Sequence, residues 1–89
     1  KEPPAVLFHG TATQHVQSIL EAGLKPMNRH AVHLSADKET ATSVGSRHGK
    51  VVLLKINALA MHQAGKVFEL STNGVWLTEF VAPEFIEVI

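Results

Sequence analysis

The order of apolar and polar positions divides the chain into short alternating elements. Ala5-Val6-Leu7-Phe8 is a continuous apolar run and reads as a strand buried on both faces. Beyond it, Ala12, Val16, Ile19 and Leu20 recur at the i, i+4, i+7, i+8 spacing of one helical stripe. Thr11 or Thr13 would cap that helix, Gln14, His15, Gln17 and Glu21 would face outward, and Gly23 would stop it. Pro26 prevents residues 24–29 from continuing the helix. Val32-His33-Leu34-Ser35 then alternates with period two, so Val32 and Leu34 share one face of a strand and His33 and Ser35 the other. A weakly amphipathic second helix follows, capped by Ser35 or Asp37, with Ala41 and Val44 on its apolar side. It runs to about residue 47 and ends at Gly49.

The β-branched run over residues 51–56 predicts a central strand. Asn57 can cap a short helix through Met61 and Ala64, closed by Gly65. Residues 66–70 read as a strand, and Ser71-Thr72-Asn73-Gly74 as a tight turn, since Asn-Gly is the strongest short hairpin signal. Residues 75–78 and 85–89 complete the strands, with Pro83 between them. The predicted fold is α+β: a split, mainly antiparallel sheet with short helices at its sides. With 89 residues and no repeats, the chain makes one domain.

Composition narrows the function classes. The chain is 45% hydrophobic and 18% charged, which is the make-up of a folded protein. Eight basic and eight acidic residues cancel, which excludes a nucleic-acid wrapper acting by bulk charge but leaves room for a small cationic pocket. The absence of cysteine excludes disulfide scaffolds and thiolate zinc sites and leans toward the cytoplasm. No apolar run approaches the ~20 residues of a membrane span, and no signal peptide is visible. The first residue is Lys1, followed by Glu2-Pro3-Pro4. That start reads as the tail of a linker or the entry to the first strand, and three readings of it stay open: a fragment of a longer protein, a chain completed by a second one, or a stand-alone domain.

Three polar clusters lie where strands end or turns tighten. In His9-Gly10-Thr11, the histidine offers ring nitrogens, the threonine a hydroxyl, and Gly10 an approachable backbone amide. In the segment from Arg29 to Ser35, a guanidinium precedes the His33/Ser35 face and can grip a phosphate with its fork of donors. In Gly45-Ser46-Arg47-His48-Gly49, two cationic side chains sit between glycines and could meet an anion. Taken alone, each cluster has a simpler explanation: a capped strand-to-helix turn, an exposed strand face, and a helix end whose basic residues complement the dipole. No metal is expected. His30 and His33 fall on opposite strand faces, His9 and His15 are separated by a turn, and no carboxylate joins them at ligand spacing. His15 and His62 read as solvated helix residues. A Gly-x-Ser-x-Gly elbow, a Walker motif and a dinucleotide glycine fingerprint are all lacking.

In order and spacing, the segments Leu7-Phe8-His9-Gly10-Thr11, Gly23-Leu24 with Met27-Asn28-Arg29, Val32-His33-Leu34-Ser35, Val44 through Gly49, and Asn73-Gly74-Val75-Trp76-Leu77-Thr78 resemble the C-terminal lobe of NAD-dependent RNA 2′-phosphotransferases of the KptA type. Those enzymes act in tRNA splicing and RNA processing. The resemblance covers nearly the whole chain. It implies an ADP-ribosyltransferase-like fold, a split sheet that holds NAD as co-substrate, and RNA carrying an internal 2′-phosphate as the partner. By the same resemblance, His9 would touch an NAD ribose, the Gly10 backbone would read the nicotinamide amide, and Thr11 would assist on the adenosine side. His33 would line the nicotinamide pocket with Ser35 beside it. Arg29 would be the catalytic cation, and Arg47 and His48 would lie near the dinucleotide. Val75 falls where many protein-modifying ADP-ribosyltransferases carry a glutamate.

The missing glutamate has a chemical rationale. A hydroxyl or amide acceptor needs a carboxylate to activate it, whereas an RNA 2′-phosphate is already an anionic nucleophile and needs cations to hold it. The implied products are repaired RNA, nicotinamide and ADP-ribose 1″,2″-cyclic phosphate. One departure stands out: the family's N-terminal winged-helix-like lobe, which brings further cations to the RNA phosphate, has no counterpart before Lys1. Two other functions compete. A toxin-type ADP-ribosyltransferase acting on RNA or protein would need Glu79 in place of the absent glutamate. A non-catalytic module would bind NAD or ADP-ribose without releasing nicotinamide.

Overall fold

The computed structural model of the chain describes residues 1–26, 30–45 and 50–89. Among these, six strands and three α-helices follow in the order β1 (Leu7–Ala12), α1 (Thr13–Ala22), β2 (Val32–Leu34), α2 (Lys38–Gly45), β3 (Val51–Ile56), α3 (Ala58–Gln63), β4 (Glu69–Leu70), β5 (Trp76–Thr78) and β6 (Ile86–Val88). A 3₁₀ turn over Pro83–Phe85 leads into β6. The strands form two three-stranded antiparallel sheets, β1-β3-β6 and β2-β5-β4. The α+β class and the central place of residues 51–56, between β1 and β6, are as the sequence pattern indicates.

Register decides which side chains are covered. In the first sheet Leu7 pairs with Ile56 and His9 with Leu54, while Ile56 also pairs with Ile86. Leu7, Leu54 and Ile56 share one face and are wholly buried. From the second sheet Val32, Leu34 and Trp76 join them, with Leu24, Ala58, Met61, Phe68 and Val81, in one core. Burying each large aliphatic or aromatic side chain contributes about 1.5–3 kcal/mol, so this shared core holds the two sheets together. Ala41, on α2, is buried outside that cluster.

Several elements differ from the sequence expectation. The first strand starts at Leu7 and runs on to Ala12, because His9, Gly10, Thr11 and Ala12 all find partners on β3. Thr11 is therefore a buried ladder residue opposite Val52 and not a helix cap. Thr13 is already inside α1, whose N-cap, Ala12, makes no side-chain bond. The apolar stripe of α1 shrinks accordingly: Ala12 belongs to the strand, Ile19 packs partly on the core, and Leu20 is 41% exposed. Of residues 66–70 only Glu69 and Leu70 are strand. Lys66 instead completes the end of α3, its N–H donating to the Met61 carbonyl (3.0 Å).

Other local signals act as anticipated. Asp37 Oδ1 accepts the Thr40 N–H (2.7 Å), a bond that holds its carboxyl below the usual range, and so begins α2. Asn57 Oδ1 accepts the Ala60 N–H (3.1 Å) at the start of α3. Gly23 ends α1 with φ of 88°, its N–H donating to the Ile19 carbonyl (2.7 Å). There Leu24 and Val81 form a two-way backbone bridge.

Gly23 and Gly65 separate two costs of adding a side chain. Both have positive φ, but a Cβ at Gly23 would lie 2.3 Å from the Val81 carbonyl oxygen, whereas Gly65 has open space. Gly65→Ala should lose about 1–2 kcal/mol from the left-handed backbone alone. Gly23→Ala should lose about 3 kcal/mol or more, because the Leu24–Val81 bridge must also move. Urea denaturation midpoints of the two variants test this; equal losses would contradict the close approach.

Candidate functional site at the split between the sheets

The two sheets meet at one backbone bridge. Phe8 N–H donates to the Ser35 carbonyl and Ser35 N–H to the Phe8 carbonyl, both at 2.8 Å. In an antiparallel strand, a residue's N–H and C=O point to the same side and alternate along the chain. Phe8 therefore faces β2, and so do Gly10 and Ala12. Leu7, His9 and Thr11 face β3, a parity that continues to Thr13, whose N–H reaches the Lys50 carbonyl (3.2 Å).

Were the bridge to continue as a ladder, the next bonded pair would be Gly10 with His33. It does not form. The His33 carbonyl accepts instead from the His9 ring, with Nδ1 at 3.0 Å. The imidazole thus takes the acceptor that an ordinary ladder would give to Gly10 N–H. No backbone group among the described residues replaces it, so the N–H and C=O of Gly10 stand side by side on an open strand edge.

The same bond sets the chemistry of His9. A carbonyl only accepts, so Nδ1 carries the proton, and the neutral ring leaves Nε2 as an acceptor. The ring is half-buried. Desolvation holds its pKa below the ordinary value of 6.5. The His33 carbonyl bond opposes that shift, and the nearby His33 imidazole adds to it.

Ser35 is half-buried at the bridge itself, and His33 is exposed one step back on β2. Leu34 pairs with Trp76, so extending the register by one residue sets Ser35 opposite Val75, half-buried at the entry to β5. His9, Gly10, His33 and Ser35 thus lie at the β1–β2 junction, and the extended register puts Val75 on the other edge of β2 from β1. Thr11 lies farther along β1, buried in the ladder. Arg29, Arg47 and His48 lie outside the described residues. Glu79 is exposed just past the end of β5. Surface depressions open beside Lys55 and Glu87 and beside His62 and Lys66, and neither includes His9. Among the described residues, no three His, Asp or Glu side chains cluster to hold a metal. No helix among them is long and apolar enough to cross a membrane.

Comparison with known proteins fixes the family. Residues 1–80 match the profile of the RNA 2′-phosphotransferase, Tpt1/KptA family. The chain belongs to that family. It is 52% identical over 84 residues to a probable RNA 2′-phosphotransferase of Streptomyces coelicolor, an alignment covering 94% of this chain and 46% of that protein. A Nostoc punctiforme protein of the same name is 55% identical over 87 residues, covering 98% of this chain and 48% of the relative. One from Pseudomonas fluorescens is 55% identical over 89 residues, covering 100% and 49%. The chain spans about half the length of the curated relatives it matches.

Two features of this junction escape the sequence pattern. One is the capture of the His33 carbonyl by His9, which depends on how β1 and β2 diverge. The other is Ser71, whose spacing to Asn73 and Val75 is visible but marks only a turn.

A pH experiment tests the geometry of His9. Because the folded ring resists protonation, the unfolded chain takes up the proton first as pH falls below 6.5. Stability should therefore drop from there down to the lowered folded pKa, and be fully present above 6.5. Between about pH 7.5 and pH 5, the melting temperature of the unaltered protein should fall more than that of His9→Gln, which has no titrating ring. Identical pH profiles would place the titration elsewhere.

Proposed function

We propose that this chain is the NAD-binding lobe of an NAD-dependent RNA 2′-phosphotransferase, an ADP-ribosyltransferase-like split sheet that moves an internal RNA 2′-phosphate onto NAD. The observation that carries the proposal is the open Gly10 edge beside His9, in a chain of this family. A primary carboxamide presents one acceptor and one donor in a plane. The N–H and C=O of a single extended residue present the complement, so Gly10 suits the nicotinamide amide. The His9 Nε2 acceptor suits a ribose hydroxyl. Ser35 adds a hydroxyl at the bridge, His33 borders the slot, and Val75 gives it an apolar wall. Thr11, Arg47 and His48 are assigned to the adenosine and phosphate end by family likeness.

In the reaction, an RNA 2′-phosphate oxygen bonds to ribose C1″ as the C1″–N bond breaks, and its electron pair leaves with neutral nicotinamide. The ribose 2″-hydroxyl then attacks phosphorus. The RNA 2′-oxygen departs with a proton, giving ADP-ribose 1″,2″-cyclic phosphate. Arg29 neutralises the phosphate as it approaches. Further cations come from the other half of the protein, which the relatives' length supports. The setting is cytoplasmic tRNA splicing or related RNA processing.

The test combines the full-length protein with NAD and a 2′-phosphorylated oligonucleotide, following loss of the phosphate and gain of the cyclic phosphate. Arg29→Ala should lower turnover about 10²–10³-fold, by analogy with loss of one preorganised donor. Glu79→Gln should change it by less than about 2-fold, as befits an exposed carboxylate. The reverse pattern would support ADP-ribosyl transfer through Glu79, and NAD binding without nicotinamide release would support a binding module.

A further inference from the structure

Extending the β2–β5 register by one residue sets Val75 opposite Ser35, at the end of a turn bonded repeatedly through one residue. Ser71 N–H donates to the Val75 carbonyl (2.8 Å), and Val75 N–H donates back to Ser71 Oγ (3.0 Å). The Ser71 hydroxyl donates in turn to Asn73 Oδ1 (2.8 Å), and Gly74 N–H donates to the Ser71 carbonyl (3.1 Å). Gly74 takes φ of 83°, which turns the chain back so that these bonds can close. Main chain and side chain of Ser71 therefore both hold Val75. The hydroxyl stands in the middle of a chain of bonds, in which each member polarises the next.

We propose that Ser71 is a positioning residue for the dinucleotide slot. It touches no ligand, and acts by fixing Val75 opposite Ser35 at the mouth of the split. The inference rests on the phosphotransferase reading for the identity of the ligand, but the contact network does not depend on it. A loose turn would let the apolar wall recede from Ser35. Alanine in place of Ser71 removes the acceptor of Val75 N–H, whereas threonine keeps a hydroxyl there.

A simple loss of stability must be separated from misplacement. Asn57 provides the comparison, since Asn57→Ala also removes one side-chain acceptor from a backbone N–H, at the start of α3. The KM for NAD and kcat would be measured in the full-length protein with 2′-phosphorylated oligonucleotide, well below the melting temperature of each variant. Ser71→Ala should raise the KM for NAD about 3–10-fold, the range of one lost hydrogen bond. The KM for RNA should stay unchanged, and Ser71→Thr should recover most of the loss. Asn57→Ala should lower the melting temperature by a similar amount and leave the KM for NAD unmoved. An unchanged KM in Ser71→Ala, or equal shifts in both alanine variants, would overturn the positioning role. Failure of the unaltered protein to bind NAD would instead remove the functional reading on which it rests.

Discussion

The open strand edge depends on one hydrogen bond that a regular sheet would not contain. β1 and β2 begin to pair at Phe8 and Ser35, and two residues later the His33 carbonyl is claimed by the His9 imidazole. A buried ladder would satisfy both backbones at Gly10 and His33. Here one acceptor is satisfied by a side chain, and the opposing donor is left for something else. The sheets can then diverge without stranding the His33 carbonyl, and the unsatisfied groups fall on a glycine at the surface of the split. Because Gly10 is only partly covered, water can satisfy its edge, so leaving it open costs little.

Divergence has to be held from below. Among the described residues the sheets share that bridge and the His9–His33 bond, and beneath them their association is an apolar core: Leu7, Leu54 and Ile56 on one side, Val32, Leu34 and Trp76 on the other. The strand alternation puts these on the core face and leaves Ser35 and Val75 half-buried. His9 is the exception that links the two. It sits on the core-facing side of β1, opposite Leu54, and this placement both desolvates the ring and brings Nδ1 to the β2 carbonyl. The lowered pKa and the liberated Gly10 edge are therefore consequences of one placement.

Much of this arrangement was legible in the chain. The period-two alternation of Val32-His33-Leu34-Ser35 separates the core face from the outward face, since Val32 and Leu34 are buried and His33 is exposed. Asn57 and Asp37 cap as their chemistry dictates, and Gly23 stops α1. What local pattern could not supply was long-range competition. Thr11 has the side chain of a cap but lies in a ladder, because Val52 offers its strand a partner 41 positions away in the chain. Residues 66–68 have strand-like composition, yet Lys66 is claimed by the end of α3 and Val67 by the Thr78 hydroxyl. The His9–His33 bond is of the same kind, a contact across 24 residues that no spacing rule encodes. Arg29, Arg47 and His48, all outside the described residues, rest on family likeness alone.

Val75 shows how charge limits which reaction such a split can host. On the phosphotransfer reading, a dinucleotide pyrophosphate and an RNA phosphate must occupy neighbouring space. A carboxylate at position 75, about 5 Å from an incoming phosphate, would repel each unit of its charge by about 3 kcal/mol at an effective dielectric near 20. That penalty would have to be offset by catalytic benefit, and an anionic nucleophile gains none from a general base. An apolar side chain in a turn tied down by Ser71 avoids the repulsion and still gives the slot a fixed wall. On the same reading, zero net charge on this chain is no obstacle. Holding two anionic reactants needs cations concentrated at the mouth of the split, and bulk positive charge spread over the domain would add nothing to the difference between ground state and transition state.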